Sequence, residues 1–198
     1  MQRYTDDIED FLRGFGDVMT LSYCTYSAPW GELLLCADDQ ALVACLDASD
    51  EALQVPACES FVHGALEVSG CHLAESPVLT QAVAELDEYF AGSRTQFEVP
   101  LDFSGYARSC SAASTPTAFM LEVWHALLDI PYGETYTYAE LAQTIGRPRA
   151  ARAVGNALNK NPLMIFAPCH RVVGVSNPWG FACGADVKRA LLAVEGAL

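Results

Sequence analysis

The sequence predicts a two-part chain: an α/β N-terminal part built on a small antiparallel sheet, then a mostly α-helical C-terminal part carrying a helix-turn-helix. Three observations predict it. Short β-like runs separated by turn residues cluster before residue 50, and segments of helical periodicity dominate after residue 115. The charge balance also changes between the halves. Residues 1–107 hold 3 Lys or Arg against 19 Asp or Glu, a net −16, whereas residues 108–198 hold 8 against 6, a net +2.

The elements follow in order. Residues 1–18 place Ile8, Phe11, Leu12 and Phe15 at helical spacing and read as a short amphipathic helix, an N-terminal extension. Residues 21–27, 32–37 and 41–47 read as strands of a meander, with turns at Pro29-Trp30-Gly31 and Asp38-Asp39-Gln40. Ser76-Pro77 supplies an N-cap and a proline in the first helical turn. Leu79, Val83, Leu86 and Phe90 then continue one apolar face until Gly92. Residues 93–115, rich in Ser, Thr and Ala, read as a connection. The expected units are therefore 1–18, 19–107 and 108–198.

In the last unit, residues 117–130 form a helix with Phe119, Val123, Trp124 and Leu127 inward, closed by Pro131-Tyr132-Gly133. Thr137 and Glu140 have capping-box spacing, so a helix starts there and runs to about Ile145. Gly146-Arg147-Pro148 breaks it, and residues 149–159 resume it. Helix, tight turn, helix with basic residues on the second member is the helix-turn-helix pattern. Residues 163–167 are a short apolar, strand-like run leading straight to Cys169, and residues 186–195 close with a helix.

Composition narrows the class. The chain has 198 residues, 52% hydrophobic and 18% charged, which suits an ordered protein with a real core. No apolar run approaches the roughly 20 residues that span a bilayer. The first residues are acidic and amphipathic, without the basic-then-apolar order of a signal peptide. No membrane association is expected, and the location is cytoplasmic (nuclear in a eukaryote). The 8 cysteines are dispersed and include no CxxC pair, so reduced thiols packed as small apolar groups are expected. Cys24, Cys71, His63 and His72 read as core cysteines and surface histidines, so no metal and no other cofactor is called for. A net charge of −14 argues against a nucleic-acid partner, but the distribution of that charge points the other way. Arg147, Arg149, Arg152, Lys160, Arg171 and Lys188 all lie in the second half, which alone could face phosphates.

The chemistry concentrates in Pro168-Cys169-His170-Arg171-Val172. A thiol attacks as thiolate, and a neighbouring base or positive charge favours that form. Adjacency of Cys169 and His170 says little by itself. The apolar run before them and the helix-turn-helix upstream make the pair distinctive: a nucleophile beside a DNA-reading element points to chemistry on the nucleic acid.

Four blocks, in order and spacing, carry a resemblance. They are Ile130-Pro-Tyr-Gly-Glu-Thr-Tyr-Thr-Tyr-Ala-Glu-Leu-Ala, Gly146-Arg-Pro-Arg-Ala-Ala-Arg-Ala-Val-Gly-Asn, Asn161-Pro and Pro168-Cys-His-Arg-Val-Val-Gly. Over residues 115–196 the chain closely resembles the O6-alkylguanine-DNA alkyltransferase family. Residues 20–114 match more loosely, and the first 18 or so are not covered.

The resemblance implies a ribonuclease H-like N-terminal domain, a winged helix-turn-helix C-terminal domain, and a monomer that acts once on duplex DNA containing alkylated bases. The family flips the damaged guanine out of the duplex and moves its alkyl group irreversibly to a cysteine. By position, Cys169 is the acceptor, His170 the base acting through a water, and Glu195 the carboxylate orienting that imidazole. Asn161 fixes the active-site turn. Tyr138 crowds the target phosphate and hydrogen-bonds the leaving base, and Arg152 fills the gap left by the flipped base. Ala151, Ala153 and Gly155 let that helix approach the minor groove, with Arg147, Arg149 and Lys160 as phosphate contacts. The backbone carbonyls of Cys169 and Val172 accept from the guanine amino group, and Val172, Met164, Phe181, Ala182 and Cys183 line the alkyl pocket. O4-alkylthymine is a further expected substrate.

Two departures stand out. Met164 occupies a place where relatives carry proline, and Phe181-Ala182-Cys183-Gly184 stands where they carry Tyr-Ala-Gly-Gly. A flexible thioether and a second thiol are thus expected beside the pocket. Two rival readings remain. An alkyltransferase-like protein binds damaged DNA without repairing it, but lacks the acceptor thiol. A cysteine hydrolase would leave the helix-turn-helix unexplained.

Overall fold

The computed structural model describes residues 22–47, 76–104 and 115–198. The helix expected over residues 1–18 lies outside them, as do Cys58, Cys71, Cys110, His63 and His72. No group of three metal-ligating side chains occurs among the described residues, and none of the described helices is long and apolar enough to cross a membrane. The five described cysteines are thiols.

Three strands, β1 (Ser22–Ala28), β2 (Gly31–Ala37) and β3 (Leu42–Asp47), form an antiparallel meander in sequence order. A two-residue turn joins β1 to β2 with Ala28 opposite Gly31. The next turn is held by Asp38, whose Oδ1 accepts from the Gln40 and Ala41 amides at 2.8 Å each. Alternation, interrupted by a register shift between Cys36 and Ala37 that leaves Val43 beside Ala44, splits the buried residues. Leu33, Leu35 and Cys45 join the main core, while Leu34, Cys36, Val43 and Ala44 form a second cluster.

Helix α1 (Pro77–Phe90) starts as expected, with the Ser76 hydroxyl accepting from the Leu79 amide and proline in the first turn. Its buried face (Val78, Leu79, Ala82, Leu86, Tyr89) belongs to the same core as Leu33 and Leu35. The connection after it is less loose than its composition implies. Val99 and Phe103 are buried, and Leu101 pairs with Leu42 on the outer edge of β3.

That edge does a second job. The Cys45 amide donates to the Pro162 carbonyl at 2.7 Å, and the Met164 amide donates to the Cys45 carbonyl at 3.1 Å. An otherwise open sheet edge is thereby closed by the segment that precedes the nucleophile.

The C-terminal part comprises α2 (Ala118–Leu127), β4 (Tyr136–Thr137), α3 (Tyr138–Thr144), α4 (Ala151–Leu158), a 3-10 turn (Cys169–Arg171), β5 (Val172–Val173) and α5 (Ala185–Val194). The Trp124 indole donates to the Ala157 carbonyl at 2.8 Å and locks α2 to α4. The Thr137–Glu140 capping box is complete, with both reciprocal bonds present. Gly146, at φ 70°, ends α3. The Gly146 amide bonds back to Gln143 and the Arg147 amide to Ala142, the two-bond stop that needs a left-handed residue. β4 and β5 pair in parallel, Tyr136 with Val172 and Thr137 with Val173, so the start of α3 is tied directly to the residues after Cys169.

One element differs from expectation. Residues 163–167 are not a strand: only Leu163 bridges to Cys45, and the chain then turns tightly. Ile165 has φ 72°, the one positive value at a non-glycine among the described residues. The apolar run resembles a strand because it is buried. Local bonding overrides that pattern: the Asn161 side chain donates to the Ala167 carbonyl at 2.8 Å and accepts from the Leu163 amide at 3.1 Å. A left-handed β-branched residue costs about 1–3 kcal/mol, so the surrounding contacts must hold this turn.

Candidate active site

Cys169 opens the 3-10 turn that follows this strained loop, and its side chain is buried. Burial pushes its pKa above the ordinary thiol value. A hydrogen bond from the Asn161 side chain, the Lys188 charge and nearby backbone amides oppose that. The thiol is therefore the resting form, and attack requires help in removing the proton.

His170 is wholly buried, and its Nε2 lies 2.7 Å from Glu195 Oε1. Burial pushes its pKa down, reinforced by Arg171 and Lys188, against the upward pull of Glu195. The ring is neutral at neutral pH. Glu195 is held down to about 2: burial raises it, but the hydrogen bonds and charges of His170 and Arg171 outweigh that. With Glu195 ionised, Nε2 carries the hydrogen and Nδ1 presents its lone pair. Nδ1 has no hydrogen-bond partner among the described residues.

Glu195 collects donors from four directions. Arg171 is bidentate, Nε to Oε2 at 2.9 Å and a terminal nitrogen to Oε1 at 3.0 Å, with its other terminal nitrogen on the Ile130 carbonyl. The Gly133 amide reaches Oε2 at 3.3 Å, and the Tyr89 hydroxyl donates to Oε1 at 2.8 Å. Gly133 needs its lack of a side chain twice over. Its φ is 78°, and a Cβ there would lie 3.1 Å from the Glu195 carbonyl oxygen. Tyr132 braces the same strand of chain, donating to the Val194 carbonyl at 2.8 Å while Arg171 lies over its ring.

Lys188 is fully buried, with Nζ on the Val172 carbonyl at 2.7 Å and on the Gly180 carbonyl at 3.1 Å. Burial lowers its pKa to about 8, opposed by the neighbouring Cys169. It ties the nucleophile turn to the loop that follows.

A cleft of about 750 Å³, lined by Tyr138, Ala151, Arg152, Gly155, Asn156, Asn159, Gly180, Phe181 and Ala182, adjoins the surroundings of the thiol through Tyr138. The Tyr138 ring packs on Gly155: a Cβ there would lie 3.6 Å from it. Burial raises the Tyr138 pKa, and so does its proximity to Cys169. Arg152, Arg149 and Lys160 are exposed along α4 and its ends, and Ala153 is exposed outside the cleft lining. Val172 and Met164 are buried, Phe181 and Cys183 half-buried, and the Cys183 thiol points at the Met164 sulfur at 3.9 Å.

Sequence reasoning brings Cys169, His170, Glu195 and Asn161 to one place, and the structure does the same. Among the basic residues, Arg171 and Lys188 face inward, and Arg147, expected as a phosphate contact, is exposed with its guanidinium on Glu122 at 2.8 Å and over the Phe119 ring. Sequence reasoning also misses Tyr89, Gly133 and Lys188 as site residues. A signal exists for Lys188: it shares one stripe of α5 with buried Leu191 and Glu195, where a charge needs a buried partner. None exists for Tyr89, which lies 106 residues from its partner.

Comparison with known proteins agrees with this geometry. The sequence profile described as the 6-O-methylguanine DNA methyltransferase DNA-binding domain matches residues 118–197. The profile described as the ribonuclease-like domain of the same methyltransferase matches residues 21–103. The methylated-DNA--protein-cysteine methyltransferase of Methanosarcina acetivorans is 37% identical over 88% of this chain and 97% of its own. The constitutive one of Bacillus subtilis is 37% identical over 87% and 94%. Among solved structures, the O6-methylguanine methyltransferase of Mycobacterium tuberculosis superposes with a TM-score of 0.67 at 37% identity, covering 89% of this chain and 93% of that one. The Mycobacterium tuberculosis OGT solved in complex with DNA gives 0.67 at 35% identity, with the same coverage. With both halves matched in order and a buried Cys-His-Glu array at their junction, the chain belongs to the 6-O-methylguanine DNA methyltransferase family.

Proposed function

We propose that this chain repairs DNA directly: Cys169 takes the methyl or other alkyl group from O6 of alkylated guanine in duplex DNA, once per molecule and irreversibly. The observation that carries the reading is the buried thiol next to a neutral imidazole whose Nε2 is locked onto Glu195, beside a cleft bordered by an exposed arginine helix. In the reaction, the Cys169 proton passes through a water to His170 Nδ1, leaving imidazolium stabilised by Glu195. The thiolate attacks the alkyl carbon as its bond to O6 breaks; that electron pair forms the O6 carbonyl of guanine, whose ring nitrogen takes up a proton from solvent, matched by the one His170 later gives back. O4-alkylthymine is a second substrate for the same displacement.

A base inside a duplex cannot reach a buried sulfur, so the nucleotide rotates into the cleft. Tyr138, half-buried at the cleft and near Cys169, crowds the target phosphate and hydrogen-bonds the departing base. Arg152 fills the vacated stack. Ala151, Ala153 and Gly155 let α4 approach the minor groove, and Arg149 and Lys160 contact phosphates. Asn161 acts by holding the turn rather than by touching the base. The carbonyls of Cys169 and Val172 already accept internal donors, and each retains a lone pair for the guanine amino group. Val172, Met164, Phe181, Ala182 and Cys183 bound the alkyl group.

We read the sheet-and-helix unit, near residues 19–107, as ribonuclease H-like, and residues 108–198 as a winged helix-turn-helix. The profile boundaries and the α3–turn–α4 arrangement support that division. The protein acts as a monomer in the cytoplasm, a reading that rests on its complete site and its dispersed thiols.

The test is incubation with duplex DNA containing O6-methylguanine. One equivalent of methyl is expected on Cys169, and none on the Cys169→Ala protein. Repeated turnovers, or binding without transfer, sink the proposal, and label on Cys183 by mass spectrometry reassigns the acceptor.

A further inference from the structure

Tyr89 is the last buried residue of α1 and the one side chain from the N-terminal half whose hydrogen bond to Glu195 is described. It is fully buried, with its ring between Phe90 at 5.1 Å, Phe97 at 5.4 Å and Tyr132 at 6.1 Å. Phenylalanine would satisfy that aromatic packing. The hydroxyl adds a buried polar group that costs stability unless it is bonded, and its bond goes to Glu195 Oε1 at 2.8 Å. The same oxygen receives His170 Nε2 at 2.7 Å and an Arg171 nitrogen at 3.0 Å. Burial and the adjacent carboxylate keep the phenol protonated far above neutral pH, so it acts only as a donor.

We infer that Tyr89 is a positioning residue of the transfer reaction: by donating to Glu195 Oε1 it weakens that oxygen's hold on the His170 proton, and so sets the pH range in which the thiol is activated. The inference rests on the reading of His170 as the base. The phenol and the imidazole compete at one oxygen. A donor on Oε1 withdraws negative charge from the bond to Nε2, and less charge there means a less stabilised imidazolium. The other groups around the pair are Arg171 and Cys169 on the nucleophile turn, Lys188 on α5, and Tyr132 with the Gly133 amide on the loop before β4. Arg171 and Lys188 are cations that also disfavour imidazolium. Tyr89 is an uncharged donor that arrives from the other half of the molecule.

The experiment follows benzyl transfer from free O6-benzylguanine, which removes DNA binding from the readout. The first-order rate constant at saturating reagent is measured from about pH 5.5 to about pH 9 for wild type and Tyr89→Phe. Losing the hydroxyl makes His170 a stronger base, so the acid limb moves up by about half a pH unit and the rate falls by up to roughly threefold at the acid end of that limb, while the alkaline plateau and half-saturating concentration hold. In the Glu195→Gln background the same substitution moves the limb no further. Placing 3-fluorotyrosine at position 89 keeps the packing and strengthens the donor, so it moves the limb the opposite way and secures the test if Tyr89→Phe folds poorly. A uniform loss at every pH, an unmoved limb in both variants, or a shift that persists without the Glu195 carboxylate overturns the role. Wild-type protein that takes no benzyl group on Cys169 overturns the transferase reading itself, and this inference with it.

Discussion

Arginine and lysine do opposite work in two regions of this molecule. Around Glu195, Arg171 and Lys188 are buried and hydrogen-bonded, and they fix a neutral imidazole beside a resting thiol. Along α4, Arg149, Arg152 and Lys160 are exposed beside an open cleft. The inner set determines whether Cys169 reacts. The outer set determines what is brought to it. The difference teaches that a count of basic residues carries little meaning until burial has sorted them: of the six between residues 147 and 188, two never face solvent as phosphate ligands would.

The sharpest way to break the inner set is to remove its anion. Glu195→Ala leaves the Arg171 guanidinium buried without its carboxylate, which costs about 3–5 kcal/mol and lowers the melting temperature by roughly 10 °C. Thermal unfolding checks it, and a fall of only a degree or two would show the nest to be dispensable. Acid should act the same way on wild type. The folded-state pKa of Glu195 is about 2 against an ordinary 4.5, so its contribution is present above 4.5 and lost as pH falls toward 2. His170 is also lowered in the folded state, so the unfolded chain binds its proton first and stability begins to fall below about 6.5. Both signs agree: urea midpoints decline from about pH 6.5 downward, and in Glu195→Ala the decline between about 4.5 and 2 is diminished.

How much of the molecule is legible in its sequence follows from the same contrast. Residues whose neighbours in sequence are their neighbours in space are readable: the Ser76 cap, the Thr137–Glu140 box, the Gly146 stop and the Cys169–His170 pair. Asn161 and Glu195 are readable through resemblance, because each keeps a fixed spacing from the cysteine. Three features are not. The turn over residues 164–166 hides behind an apolar run, since burial alone does not separate strand from turn. Arg171 carries the same letter as a surface phosphate ligand, whereas Lys188 is betrayed by the apolar stripe it shares on α5. Tyr89 resembles any aromatic at a helix end, because its partner is set by how the two halves pack.

The outer set is tested by Arg152→Ala. Extruding a base from the stack costs a few kcal/mol, so loss of the side chain that fills the gap should slow repair of duplex DNA by on the order of tenfold or more. Reaction with free O6-benzylguanine should keep its rate, because Arg152 is exposed and takes part in none of the described Glu195 bonds. Equal losses in the two assays would move Arg152 into the chemistry or the fold and blur the division between the regions.

The smallest effect is expected where the regions meet. Arg147 is exposed but already bonded to Glu122 and set over Phe119, whereas Arg149, two residues on, has no such described pair. An exposed ion pair contributes little to stability, so Arg147→Ala should shift the melting temperature by no more than about 2 °C. It should also leave the salt dependence of duplex binding unchanged, since an arginine held by a carboxylate releases few counterions from phosphate. Arg149→Ala should instead reduce the slope of log affinity against log salt by roughly one unit per lost contact. Filter binding of Cys169→Ala protein carrying each substitution, across a salt series, separates them. If Arg147→Ala flattened the slope as much as Arg149→Ala, Arg147 would have to leave Glu122 on meeting DNA, and the Glu122 pair would be a resting contact exchanged for phosphate rather than a fixed part of the α2–α3 junction.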